Sequence, residues 1–186
     1  MTAAATAEDA LTGAVGDLGA RFVLHWGEMG TRWGVSRTVA QIHALLFLRG
    51  QPLNAEEIAA VLQVARSNVS TSLRELQNWD LVRVVHRAGD RRDHFETELD
   101  PWALLRILVR ERKEREFDPT LEFLRGCIAS RDLARETPET QKRLRETLAL
   151  MEALAAWADQ VSGMDSAGLR RLAKLGNRVQ AFIKAS

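Results

Sequence analysis

The stretch that decides the fold runs from Leu53 to Leu99 and reads LNAEEIAAVLQVARSNVSTSLRELQNWDLVRVVHRAGDRRDHFETEL. Its first residues specify a helix start, because the Asn54 side chain can cap the helix while Glu57 reaches back to the Asn54 amide. Leu53 and Ile58 stand where the two halves of a hydrophobic staple are expected. The sequence therefore predicts a short helix that begins at this cap.

A second helix is predicted from about Arg66 to Trp79, after a three-residue connection that begins at Gln63. Its apolar residues fall at i, i+4 and i+7 and form one stripe. The side away from this stripe carries hydrogen-bonding and cationic side chains, with no carboxylate in the first two turns. Its candidate contact residues are Arg66, Ser67, Asn68, Ser70, Thr71 and Arg74.

Two alternating, β-branched runs follow the second helix, from Leu81 to His86 and from His94 to Leu99. Between them the chain reads Arg-Ala-Gly-Asp-Arg-Arg-Asp, which predicts a hairpin with a Gly-Asp tip. The tip residues suited to phosphates and to a narrow minor groove are Arg87, Arg91 and Arg92. Asp90 and Asp93 are interpreted as carboxylates that orient these arginines.

Helix, tight turn, second helix and two-stranded ribbon are the elements of a winged helix-turn-helix, so the fold is predicted to be mainly α with a small β-wing. An acid-free helix face beside an arginine-rich ribbon favours double-stranded DNA as the partner. The helix would enter the major groove, and the ribbon would lie in or along the minor groove. The alternative is a winged-helix scaffold that uses the same surface to bind protein without specific DNA binding.

The residues also resemble a known family in three separated blocks. These are Gly34–Arg37 with Gln41–Leu46, then Leu73–Trp79, then Gly89–Phe95. Their order and spacing resemble those of the GbsR/MarR-like transcriptional regulators, closely over about residues 20 to 110. The resemblance implies a dimeric bacterial repressor whose best-known relatives answer to choline, a quaternary ammonium compound, and control osmoprotectant uptake and synthesis.

One departure from that family lies at the start of the second helix. Where a relative would read Gly-Val-Ser, this chain reads Gln63-Val64-Ala65. The loss of a serine N-cap costs on the order of 1 kcal/mol of local stability. We therefore expect either that Ser67 caps the helix one turn later or that the helix frays at its start.

Helical patterns flank the winged helix on both sides. One long amphipathic helix is predicted from Thr6 to Trp33, with glycines beside its apolar seam that let another backbone approach closely. Four more helices are predicted at about 101 to 116, 119 to 131, 138 to 161 and 166 to 184, three of them starting at an Asp-Pro or Thr-Pro pair. The predicted organisation is an N-terminal dimerisation and effector helix at 1–33, a DNA-binding domain at 34–100 and a C-terminal dimerisation region at 101–186.

The terminal helices favour a homodimer, because two-fold symmetry presents two recognition helices one DNA turn apart. The expected binding site is a pseudo-palindromic operator. The alternative is that the apolar stripes pack only within their own chain.

Five tryptophans and no tyrosine raise the question of a small effector. Aromatic faces bind quaternary ammonium groups by cation–π attraction. The candidate effector-binding residues are Trp26, Trp33 and Trp102. The alternative is that these rings are core or interface anchors.

The composition and the residue patterns argue against several other classes of protein. With 46% hydrophobic and 27% charged residues the chain is globular, and a net charge of +1 requires any DNA affinity to come from local basic patches. The single cysteine, Cys127, excludes an internal disulfide, and the four histidines show no metal-ligand spacing. No catalytic arrangement or phosphate loop is present, so we expect neither an enzyme nor a cofactor. No apolar run spans a bilayer and no secretion signal is recognised, so a cytoplasmic protein is expected.

Overall fold

A computed structural model describes the backbone of residues 3–183 and the side chains of residues 8–175. The chain forms two compact units, residues 1–99 and 100–186. The first unit contains α1 (Ala3–Arg32), α2 (Arg37–Arg49), β1 (Leu53–Asn54), α3 (Ala55–Leu62), α4 (Arg66–Asn78), β2 (Val82–Arg87) and β3 (Asp90–Thr97). The second contains α5 (Pro101–Arg112), α6 (Asp118–Ala129), α7 (Pro138–Gly163) and α8 (Ser166–Ile183).

The three strands form one antiparallel sheet in the order β1-β3-β2. Leu53 of β1 and Val84 of β2 both pair with Phe95 of β3. The predicted mainly α winged helix-turn-helix with a small β-wing is confirmed.

The helix-turn-helix begins as the sequence predicts. The Asn54 side chain accepts from the Glu57 amide at 3.0 Å, while the Glu57 carboxylate accepts from the Asn54 amide at 2.8 Å. The helix ends at Gln63, whose φ of 53° is in the left-handed region. The apolar stripe of α4 is buried in the core and consists of Val69, Leu73 and Leu76.

Helix α1 differs from the prediction in two ways. It is not one continuous helix, because Gly16 has φ 75° and ψ 168° and breaks it. Arg49 donates to the carbonyl of Ala14 at 2.9 Å and so satisfies a backbone group next to this break. The predicted apolar seam is only partly buried: Leu11 is 3% exposed but Leu18 is 77% exposed, while Val23, outside the seam, is fully buried.

Two glycines of α1 allow close contact with α2. A Cβ on Gly30 would lie 2.5 Å from the Ala40 Cβ, and a Cβ on Gly27 would lie 2.6 Å from Gln41 Cγ. Both positions face α2, so the missing side chains let α1 and α2 pack closely. The N-terminal helix and the winged helix thus share one compact unit.

The second unit confirms two of the three proline-marked helix starts. Asp100 caps α5 and Thr137 caps α7, each accepting a backbone amide hydrogen bond. The predicted cap at Asp118 is wrong, because a π-helical turn over Lys113–Phe117 joins α5 directly to α6. Lys113 lies 3.0 Å from Asp118 and 3.3 Å from Asp159 of α7, and these carboxylates raise the pKa of its ammonium group.

Candidate nucleic-acid interface

Helix α4 starts at Arg66 without a side-chain cap. Ala65 stands at the N-cap position with φ −61° and ψ 136° and makes no side-chain hydrogen bond. Ser67 does not cap the helix, since it already lies within α4 and Ala65 is the N-cap residue. The expectation that Ser67 caps the helix one turn later is therefore wrong, and α4 is helical from Arg66 onward.

The outward face of α4 carries the predicted contact residues. Ser70 is half-buried, and the exposed members are Arg66, Ser67, Asn68, Thr71 and Arg74. Arg66 is held by Glu56 of α3, with Nε 2.6 Å from the carboxylate oxygen. Asn68 donates to the Thr38 hydroxyl at 3.2 Å, which ties its amide to the start of α2. This face offers hydroxyls, amides and guanidinium groups, the types of side chain that hydrogen-bond base edges and phosphates.

The wing is a tighter hairpin than the sequence predicts. Arg87 pairs directly with Asp90, so only Ala88 and Gly89 form the turn, and Gly89 has φ 83°. Arg91 and Arg92 consequently lie on β3 rather than at the tip. The longer strand follows from the left-handed Gly89, because glycine readily reverses the chain within two residues.

Asp90 organises the inner face of the wing. Its carboxylate accepts from Arg92 Nε at 2.9 Å, from Arg92 Nη2 at 2.6 Å and from the Arg92 amide at 3.0 Å. These charge-assisted hydrogen bonds hold the pKa of Asp90 well below its usual range. The interpretation of Asp90 as an arginine-orienting carboxylate thus agrees with the contacts.

The other two wing positions differ from expectation. Asp93 lies 3.8 Å from His86 rather than beside an arginine. Arg87 donates to the Pro52 carbonyl at 2.9 Å, so it folds back onto the residue before β1. Because side chains alternate along a strand, Asp93 and Arg92 point to opposite faces of β3.

Arg74 and Arg91 differ from the other arginines of this surface. Within the part of the chain that the structure describes, neither has a hydrogen-bond or ion-pair partner, whereas Arg66, Arg83, Arg87 and Arg92 all do. Both are exposed. They can therefore meet a phosphate without first breaking an internal contact.

Sequence reasoning missed His94, which is buried below the wing. Its side chain is 2% exposed, and its Nε2 lies 3.6 Å from Asp90 Oδ2. The period of two in Asp90, Arg92 and His94 was the available signal, since it places the three side chains on one face of β3.

The three candidate effector tryptophans fall in different places. Phe22 stacks on Trp26 with ring centroids 5.3 Å apart, and Trp26 meets Trp33 edge-on at 6.2 Å. Trp102 belongs to the second unit, beside a hollow lined by Arg170, Ala173 and Lys174. Arg170 and Lys174 at that hollow would repel a quaternary ammonium group.

The described residues contain neither a metal-binding cluster nor a membrane-spanning helix. No group of three or more His, Cys, Asp or Glu side chains there is arranged to hold a metal ion. No helix in that part of the chain is long and apolar enough to cross a membrane.

A helix-turn-helix whose second helix, α4, has no carboxylate in its first two turns and lies beside an arginine-bearing hairpin is the arrangement of a winged helix. Residues 28–93 match the model of the MarR family, and this match covers both helices and the wing through Asp93. Over residues 28–93 the chain is therefore similar to the winged helix-turn-helix of the MarR family.

The fold is shared with a solved structure described as a transcriptional regulator. The two superpose with a TM-score of 0.63 at 21% identity, over 78% of this chain and 95% of that one. No curated protein sequence matches this chain.

Proposed function

We propose that the chain is a homodimeric, sequence-specific repressor of the GbsR-like type that binds a pseudo-palindromic operator and is released by a small effector. The observation that carries the proposal is the α4 face, where the unpaired Arg74 stands among exposed hydroxyl and amide groups. In this proposal Ser67, Asn68, Ser70, Thr71 and Arg74 enter the major groove. Arg91 and Arg92 hold the wing at the minor groove, with Asp90 fixing the direction of the Arg92 guanidinium.

The outer face of α1 supports homodimerisation. Leu18 and Trp33 are 77% and 56% exposed, and a second copy of the chain would cover this apolar row. Arg21 and Glu28 border the same surface hollow as Leu18 and stand seven residues apart. In an antiparallel, two-fold arrangement each Arg21 would meet the Glu28 of the other copy, so the surface is complementary to itself.

The aromatic row of α1 supports a cationic effector. Trp26 and Trp33 lie edge to face, and Trp33 is open to solvent. A quaternary ammonium compound bound there would have to prefer the dimer that cannot bind DNA, because only differential affinity shifts the equilibrium. We expect choline or a related cation to quench tryptophan fluorescence and a Trp33→Ala variant to lose most of this response.

The proposal is tested by fluorescence anisotropy of a labelled duplex from upstream of the gene, compared with a scrambled duplex at several salt concentrations. We expect tight binding to the native duplex, weaker binding to the scrambled one and a steep loss of affinity with salt. Equal and weak binding to both would contradict the sequence-specific proposal.

A further inference from the structure

A buried histidine lies under the carboxylate that orients the wing. His94 is 2% exposed and Asp90 is 25% exposed, measured over their side chains. Arg92 donates hydrogen bonds to both carboxylate oxygens of Asp90, and His94 Nε2 lies 3.6 Å from Asp90 Oδ2. That distance is too long for a hydrogen bond but short enough for a strong electrostatic interaction once the ring is charged.

The hydrogen bond at the other ring nitrogen defines the tautomer. His94 Nδ1 lies 3.0 Å from the Arg92 carbonyl oxygen, which can only accept, so Nδ1 carries the hydrogen. In the neutral ring Nε2 is then an acceptor facing a carboxylate oxygen, which is also an acceptor. A proton added at Nε2 turns this unfavourable pair into a charge-assisted hydrogen bond.

Charged groups from several elements surround this cluster. Strand β3 supplies Asp90 and Arg92, and β2 supplies Arg87, which is paired with Asp90 in the sheet and donates to Pro52. Helix α3 supplies Glu56 and Glu57, which both act on Arg92, and α4 supplies Arg66, which is bound to Glu56. In α2, which also packs on β3, burial lowers the pKa of His43 to about 4, so His43 stays uncharged near neutral pH.

We propose that His94 is a positioning residue that couples the wing to pH. When His94 is neutral, the Asp90 carboxylate accepts hydrogen bonds from Arg92 but not from His94. When His94 takes up a proton at Nε2, it competes for Asp90 Oδ2, loosens the hold on the Arg92 guanidinium and adds one positive charge beneath the wing. Both changes strengthen binding to phosphates, so DNA affinity rises as pH falls.

This inference rests on the proposed contact between the wing and DNA. Two measurements on the full chain distinguish the proton coupling of His94 from that DNA contact. The first is anisotropy with the labelled upstream duplex and with poly(dA–dT) at pH 8 and pH 6. We expect affinity to rise about three- to tenfold, within the limit set by the uptake of a single proton. His94→Gln should reduce this rise to less than twofold, while His86→Gln, at the exposed wing histidine, should keep most of it.

The second measurement is an NMR titration of the free protein, which needs no DNA. The His94 ring nitrogens should report the Nδ1–H tautomer at pH 8 and gain a proton on acidification, and the Arg92 Nε–H signal should move with them. A histidine with a merely structural role would leave the Arg92 signal in place. In Asp90→Asn, which retains His94 but removes the carboxylate, this linked movement should disappear.

Each outcome decides a different point. A pH response that is as large in His94→Gln as in the unmodified protein, or His94 signals that do not move down to pH 5.5, would overturn the inference. If His94→Gln does not fold, Asp90→Asn takes its place, and retention of the full pH response in that variant overturns the inference equally. Absence of DNA binding at every pH, with a linked His94 and Arg92 titration, would instead refute the proposed function and support the proton coupling.

Discussion

At the scale of single residues, the arginines of the interface divide into paired and unpaired groups. Arg92 and Arg66 are held by carboxylates, and Arg74 and Arg91 have no partner among the described residues. An unpaired cation contributes its whole charge to a phosphate contact, whereas a paired one must share it with its carboxylate. The identity of the unpaired arginines therefore decides where binding is most sensitive to substitution.

Arg91→Ala is expected to weaken binding to native and scrambled duplexes by a similar factor. Because about one phosphate contact is lost, the slope of log affinity against log salt should fall by about 1. Anisotropy over a salt series measures both quantities. Arg135→Ala, which removes the same charge from the second unit, is the control and should change neither by as much.

Asn68→Ala, unlike Arg91→Ala, is expected to change which DNA sequences are preferred. Its amide is exposed on the reading face of α4. Its loss should change preference at individual base pairs by about 1–3 kcal/mol while leaving the salt slope intact. A uniform loss across all sequences would show that Asn68 contacts the backbone instead.

At the scale of elements, α4 begins with an N-cap that its sequence leaves unfilled. Ala65 is exposed and already has the extended φ and ψ of an N-cap residue. Ala65→Ser should therefore stabilise the protein by about 0.5–2 kcal/mol, because the hydroxyl can accept an orphan amide of the first turn. Thermal or urea unfolding measures the change, and Ala60→Ser, inside α3, should instead be neutral or slightly destabilising.

The contact between α1 and α2 gives a second prediction at this scale. Gly30→Ala would place a methyl group 2.5 Å from the Ala40 Cβ, so the overpacking cost of about 1–3 kcal/mol should exceed the helix-propensity gain. Gly13→Ala is the matched control, because a Cβ there meets nothing within 4 Å. That variant should be stabilised by up to about 1 kcal/mol, and equal effects of the two substitutions on urea unfolding would contradict the packing argument.

At the scale of the whole molecule, the proposed dimer depends on the outer face of α1. Leu18→Glu should leave the folded chain intact, since Leu18 is 77% exposed, but should shift the dimer toward monomer by placing a carboxylate in the interface. Light scattering after size-exclusion chromatography measures the mass. Gln51→Glu adds the same charge at another exposed position and should stay dimeric, and a fully dimeric Leu18→Glu would show that α1 is not the interface.

Local patterns in the sequence determined the helix-turn-helix and the wing. The Asn54–Glu57 cap, the α4 stripe and the two alternating strands each depend on residues at most a few positions apart. The cap and the stripe lie where the patterns predict, whereas β3 begins at Asp90, four residues before the predicted start at His94. The outward α4 residues could be named for the same reason, since a buried stripe leaves the opposite side exposed.

Only the tertiary structure decided which arginines are paired, where α1 breaks and what lies under the wing. The Arg87 to Pro52 and Arg49 to Ala14 hydrogen bonds each join residues 35 positions apart. Helix α1 breaks at Gly16, where an added Cβ would meet nothing within 4 Å, and not at Gly27 or Gly30, which pack against α2. Burial of His94 follows from the pairing of β3 with both β1 and β2, a register that no single strand encodes.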